Sequence, residues 1–164
     1  MDNGYKIVLV LHLLAAMVGF GGLFLNVAYG LQARDRGGRE GTAIAEALYN
    51  VSRKWTEYFI YAVPVLGIAL VMMSEDTIKF SDLWVSASFV VYIVLLGVLH
   101  GLQFPNIKKM NLLMAELAAS GGRASGSTDL VAELERRGKR SAFVGGLFNL
   151  LVVVAVYLMV FKPT

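Results

Sequence analysis

The chain has 164 residues, 57% hydrophobic and only 16% charged, against about 45–50% apolar and about 25% charged in an ordinary soluble domain. That balance argues against a water-soluble fold, and the length leaves no room for a separate catalytic domain beside a membrane core. The absence of cysteine excludes disulfides, thiolate metal sites, iron–sulfur clusters and covalently attached haem. A metal or haem would have to be held by His, Met, Tyr, Asn or carboxylate.

Four apolar runs each approach the roughly 20 residues that cross a bilayer as a helix. They predict an all-α fold: a four-helix transmembrane bundle making one integral membrane domain over 1–164, with spans at about 7–31, 55–73, 84–104 and 142–161. The first run far exceeds the roughly 7–15-residue core of a secretory signal, and Asp2 stands where a basic region belongs, so a mature helix is expected. Twelve of the fifteen Lys and Arg fall between the first and second spans or between the third and fourth. By the positive-inside rule both of those loops are cytoplasmic and both termini lie outside, as in a multi-pass protein of the bacterial inner (plasma) membrane. Between the second and third spans, Glu75, Asp76 and Asp82 outnumber Lys79, in keeping with an outer turn. The net charge of +3 then reflects orientation and anionic headgroups; no basic patch with interleaved aromatics points to nucleic acid.

The first cytoplasmic loop turns at Gly37-Gly38. Beyond it Ile44, Leu48, Val51 and Trp55 mark an amphipathic helix running into the second span, with Thr42 as its expected N-cap. In the second loop, Pro105 suits a helix start, Ile107–Ala119 is helix-forming, and Ser120-Gly121-Gly122 ends it. A flexible link over 123–127 and a short helix over about 129–137 then lead to the fourth span. These short helices suit a lipid surface or a docking partner. Trp55 and Trp84 are expected as interface anchors.

Polar groups within spans face a bundle interior or a cavity by default. On the first helix His12, Ala15, Gly19, Gly22, Asn26 and Tyr29 form one stripe, small in the middle and polar at its ends. Its expected use is close helix contact, with a flat cofactor as the alternative. Counted by depth, His100, Asn26, Tyr61 and Asn149 come from four helices to one inner layer, with Glu57, Tyr58 and Gln103 nearer its mouth. His12 belongs to an outer layer with Ser88, Tyr92 and Tyr157. The histidines differ in depth by about nine residues, roughly 14 Å, so they would serve separate haems or metals, or only one is a ligand. Each has a second use open to it, an interhelical hydrogen bond. A copper site would draw on His12 with Met17, Met72 or Met73, residues that equally serve as packing. No phosphate loop, nucleophile elbow, His-Glu-x-x-His or intramembrane carboxylate pair is present.

Leu11-His12-Leu13-Leu14-Ala15 followed by Gly22-Leu23-Phe24, Leu99-His100-Gly101, Phe148-Asn149 and Lys162-Pro163 resemble the four-helix membrane protoporphyrinogen oxidases and the related copper-resistance protein D family. The resemblance implies haem b and haem-linked redox chemistry through His12 and His100. Gly19-Phe20, Val27-Ala28, Ala33 and Leu150 depart from the oxidase pattern, which points to an uncharacterised integral-membrane branch with another role. The reading is therefore a membrane protein binding b-type haem or a metal, for electron transfer or porphyrin redox chemistry. His12 and His100 are its ligands, and Asn26, Tyr61 and Asn149 their inner partners. The alternatives are a non-catalytic subunit of a larger membrane complex and a copper-handling protein. Partners are the bilayer and either a second copy or that larger complex, and the sequence leaves open whether the protein is an enzyme.

Overall fold

The computed structural model describes residues 2–75, 77–120 and 127–163, leaving aside the side chains of residues 27, 120 and 127. The fold is all-helical, 91% helix with no strand among the described residues. The helices are α1 Asn3–Arg36, α2 Gly38–Val51, α3 Glu57–Met72, α4 Leu83–Val98, α5 Phe104–Ser120 and α6 Ser127–Phe161. Ser52–Thr56 and Leu99–Gln103 are π-helical turns that carry α2 into α3 and α4 into α5 without a break. Among the described residues four long stretches result, Asn3–Arg36, Gly38–Met72, Leu83–Ala119 and Thr128–Phe161, each long and apolar enough to cross a membrane. At about 1.5 Å per residue, α1 alone extends roughly 50 Å, well beyond the ~30 Å hydrocarbon layer. Only 17–28% of each most apolar window is buried by the protein itself. Phe143, Met17 and Val65 are among the many large apolar side chains left exposed, the distribution expected where lipid supplies the remaining contacts.

The structure departs from the expected loop boundaries in ways that local chemistry explains. Gly37 and Gly38 do form the turn after α1, with φ of +57° and +50°, a conformation that costs a side chain its usual steric freedom. Thr42 is not a cap. It lies inside α2, where its hydroxyl donates to the Gly38 carbonyl at 2.9 Å, because the helix begins at Gly38 rather than at the first apolar residue. Pro105 does not open a separate helix either. Proline has no N–H for the carbonyl four residues back; the π-turn before it widens the ladder, with the Phe104 N–H bonded to the Leu99 carbonyl, and the chain stays helical. The short helix expected over 129–137 is the start of α6. Gly138 alone does not break it: the i, i+4 pair Glu133–Arg137 precedes that glycine and Glu135–Lys139 spans it. The expected link lies outside the described residues up to 126.

The chain divides into two compact units. The first comprises Met1–Leu23, Ser52–Leu95 and Leu150–Thr164, and the second Phe24–Val51 and Leu96–Asn149. In the first, α1 packs closely on α3: a Cβ on Gly19 would lie 3.0 Å from Ile60 Cγ1 and 3.1 Å from the Ile60 nitrogen, and one on Gly22 3.0 Å from the Thr56 side chain. Tyr5, Ala15, Ile60, Val63, Leu70, Val85 and Leu95 are buried there. The small-residue stripe of α1 thus serves helix contact. In the second unit a Cβ on Gly41 would collide with the Ala33 carbonyl, which sets the tight approach of α2 to the end of α1. Ala33, Val98, Leu99, Phe104, Leu113, Val144 and Phe148 are buried there.

Candidate functional site

The polar centre of the first unit is built around Pro64, which stands inside α3. Its missing N–H would have bonded the Ile60 carbonyl, and an unsatisfied carbonyl in an apolar span is costly. Tyr92 of α4 supplies the donor: its hydroxyl lies 2.6 Å from the Ile60 oxygen. Three residues on, the Val63 carbonyl receives His12 of α1, whose Nδ1 is 3.0 Å away. A carbonyl only accepts, so Nδ1 carries the proton and, in the neutral ring, Nε2 presents a lone pair. His12 is buried at 6% exposure, and the ring rests against α3 at Gly67, where a Cβ would stand 3.4 Å from His12 Cε1.

Glu57, expected at the mouth of an inner site, is instead buried, at 8% exposure. Arg53 pairs with it at 2.9 Å, and the Tyr61 hydroxyl donates to its Oε1 at 2.6 Å. The three residues stand one turn apart on the same helical stretch, an arrangement that neutralises the charge and satisfies the carboxylate locally.

Of the four inner residues expected together, Asn26, His100 and Asn149 belong to the second unit and Tyr61 to the first. Asn26, His100 and Asn149 are half-buried. His100 sits in the π-turn and meets Phe104 edge-on at 5.4 Å, and Phe104 in turn meets Tyr49 at 6.3 Å. Sequence reasoning passed over a polar seam between α5 and α6. Gln103 donates to the Ser141 hydroxyl at 3.0 Å, and its Oε1 is buried without a partner. Asn106, buried at 4%, donates to the Arg137 carbonyl at 3.0 Å and accepts from the Arg137 guanidinium at 3.3 Å. Asparagine and arginine just outside the apolar runs were the available signal.

The remaining outer-layer residues have local partners. Ser88 donates to the Trp84 carbonyl at 2.7 Å, and Tyr157 stacks on Phe161 at 4.6 Å. Met17, Met72 and Met73 are exposed at 71%, 74% and 41%, so the thioethers of a copper site lie open rather than enclosed with the imidazole. Among the described residues no three His, Cys, Asp or Glu side chains cluster to hold a metal ion. What the first unit offers is one oriented imidazole.

Residues 6–163 match the family described as "Predicted integral membrane protein (DUF2269)". The chain belongs to this family. Its description carries membrane integration, in agreement with the four apolar helices, and contact with the lipid bilayer follows from it. No curated protein and no solved structure matches the chain. For a member of this family the chemistry therefore has to be read from the side chains themselves.

Proposed function

We propose that the protein holds b-type haem in the plasma membrane through His12 and serves electron transfer or porphyrin redox chemistry. The observation that carries this reading is the buried imidazole of His12, whose Nδ1–H donates to the Val63 carbonyl. A ligating histidine commonly gives its other ring N–H to a carbonyl, which fixes the tautomer and raises the basicity of the ligating nitrogen. The donor set suits the group. Nitrogen ligation needs no thiolate, and with Nδ1–H held by the Val63 carbonyl the Nε2 lone pair is the one left for a metal.

A bound haem would supply a one-electron couple. The chain's part is to hold the ring, fix its proton on Nδ1 and keep water away. In this reading His100 ligates a second group within the second unit, which also carries Asn26 and Asn149, and both termini lie outside. The test is the visible spectrum of the purified protein expressed with ample haem. A Soret band with a reduced-minus-oxidised difference, lost or shifted in His12→Ala, supports the reading; a colourless protein overturns it.

A second reading, a non-catalytic subunit of a larger membrane complex, is favoured by Gly97 and Gly101. One turn apart, they have nothing within 4 Å of where a Cβ would stand, and such a surface admits a helix of another protein at close range. Stoichiometric co-purification of a partner, without a chromophore, distinguishes it. Copper handling at His12 would be read out by metal analysis of the same preparation.

A further inference from the structure

We propose that Tyr92 is a positioning residue for His12, acting through the Pro64 turn of α3. The proposal deepens the reading of His12 as a ligand and rests on it for its functional meaning. The positioning itself concerns only this chain's own hydrogen bonds.

Two helices grip the same turn of α3. From α4, the Tyr92 hydroxyl holds the Ile60 carbonyl at 2.6 Å, the acceptor that Pro64 deprives of its backbone donor. From α1, His12 Nδ1 holds the Val63 carbonyl at 3.0 Å. The two carbonyls belong to one helical turn, and that turn lacks the hydrogen bond that would otherwise fix its pitch. Tyr92 supplies the missing constraint. Ile60 is itself buried at 2% exposure, so water is poorly placed to take over. Without the Tyr92 bond the turn is free to open, and the direction of the Val63 carbonyl, and with it the proton position on His12, becomes variable. Gly67 completes the seat, since a Cβ there would stand 3.4 Å from His12 Cε1.

The decisive comparison is Tyr92→Phe in two backgrounds, wild type and Pro64→Ala. Alanine restores the N–H that bonds the Ile60 carbonyl, so it removes the need for Tyr92. The readout is the ¹⁵N spectrum of the two histidines in the full chain, reconstituted in nanodiscs without added haem, with His12→Gln identifying the His12 signals.

In wild type His12 is expected with Nδ1 protonated and Nε2 bare. Tyr92→Phe lowers the ratio of that tautomer to the other about fivefold, the equilibrium equivalent of one hydrogen bond. In the Pro64→Ala background the same substitution changes the ratio by less than about twofold, because the backbone then supplies the bond. An unchanged ratio in Tyr92→Phe, or an equal loss in both backgrounds, overturns the proposal. If Tyr92→Phe alone does not fold, folding of the double variant with the ratio of Pro64→Ala supports the proposal. Failure of the double variant as well, where Pro64→Ala folds, overturns it. A protein that never takes up haem would sink the ligand reading while the tautomer ratio still decides the role of Tyr92.

Discussion

The hydroxyl of Tyr61 donates to Oε1 of Glu57 across 2.6 Å, one turn apart on α3. With Arg53 bonded to the same carboxylate, Glu57 is shared by a cation and a hydroxyl donor inside a stretch long and apolar enough to cross the membrane. Glu57→Ala removes the carboxylate that Arg53 and Tyr61 share and should lower stability by about 1–3 kcal/mol, less than for a fully buried pair because Arg53 is partly exposed. Tyr61→Phe removes one charge-assisted bond and should cost about 1 kcal/mol. Thermal melts of the detergent-solubilised variants, with Glu57→Gln as the control that keeps the shape, check the order.

His12→Ala removes both the ring and its bond to the Val63 carbonyl. An interhelical hydrogen bond of this kind contributes about 0.6–2 kcal/mol, so the variant should fold with a modest loss of stability and, on the proposed function, a diminished or shifted Soret band. Gly67→Val leaves the imidazole in place but adds methyls beyond a Cβ that already stands 3.4 Å from the ring. It should alter the spectrum as His12→Ala does. A normal spectrum in both variants would show that His12 binds nothing.

The α1 stripe separates tight glycines from an open one. Gly22→Val meets Thr56 at 3.0 Å and Gly19→Leu meets the Ile60 backbone at 3.1 Å, whereas Gly21 has nothing within 4 Å. The first two should destabilise by about 1–3 kcal/mol, the usual result of overpacking. Gly21→Leu should be near neutral or gain slightly from helix propensity. Equal melting of all three variants would contradict the close packing of α1 on α3.

Topology is testable because the chain has no native cysteine. On the positive-inside assignment, a membrane-impermeant maleimide added to sealed right-side-out vesicles should label Lys79→Cys and spare Arg39→Cys until the vesicles are opened. The reverse pattern would place both termini inside.

The four spans are legible because continuous apolarity over about 20 residues is a strong signal that needs no partner information. The helix boundaries at the loops are less so. The π-turn ahead of Pro105 lets α4 run on into α5, whereas proline read by itself suits the start of a new helix. The burial of His12 follows from its place on a stripe that includes Ala15, Gly19 and Gly22. Its partner does not, because Val63 contributes a backbone carbonyl and no side-chain chemistry announces it; Pro64, inside an otherwise unbroken apolar run, was the available clue. The pairing of Glu57 was within reach as well, since Arg53 precedes it and Tyr61 follows it by four residues each. The depth count groups Tyr61 with His100, and what the structure adds is the bond from Tyr61 to Glu57, four residues back on its own helix.

With most of each apolar window uncovered by the protein, this chain borrows the greater part of its nonpolar environment from whatever surrounds it. Acyl-chain length and detergent choice therefore act on it as core substitutions act on a soluble protein: a poorly matched hydrocarbon thickness adds strain that the molecule relieves by tilting or by associating. Its melting temperature is accordingly a joint property of chain and solvent.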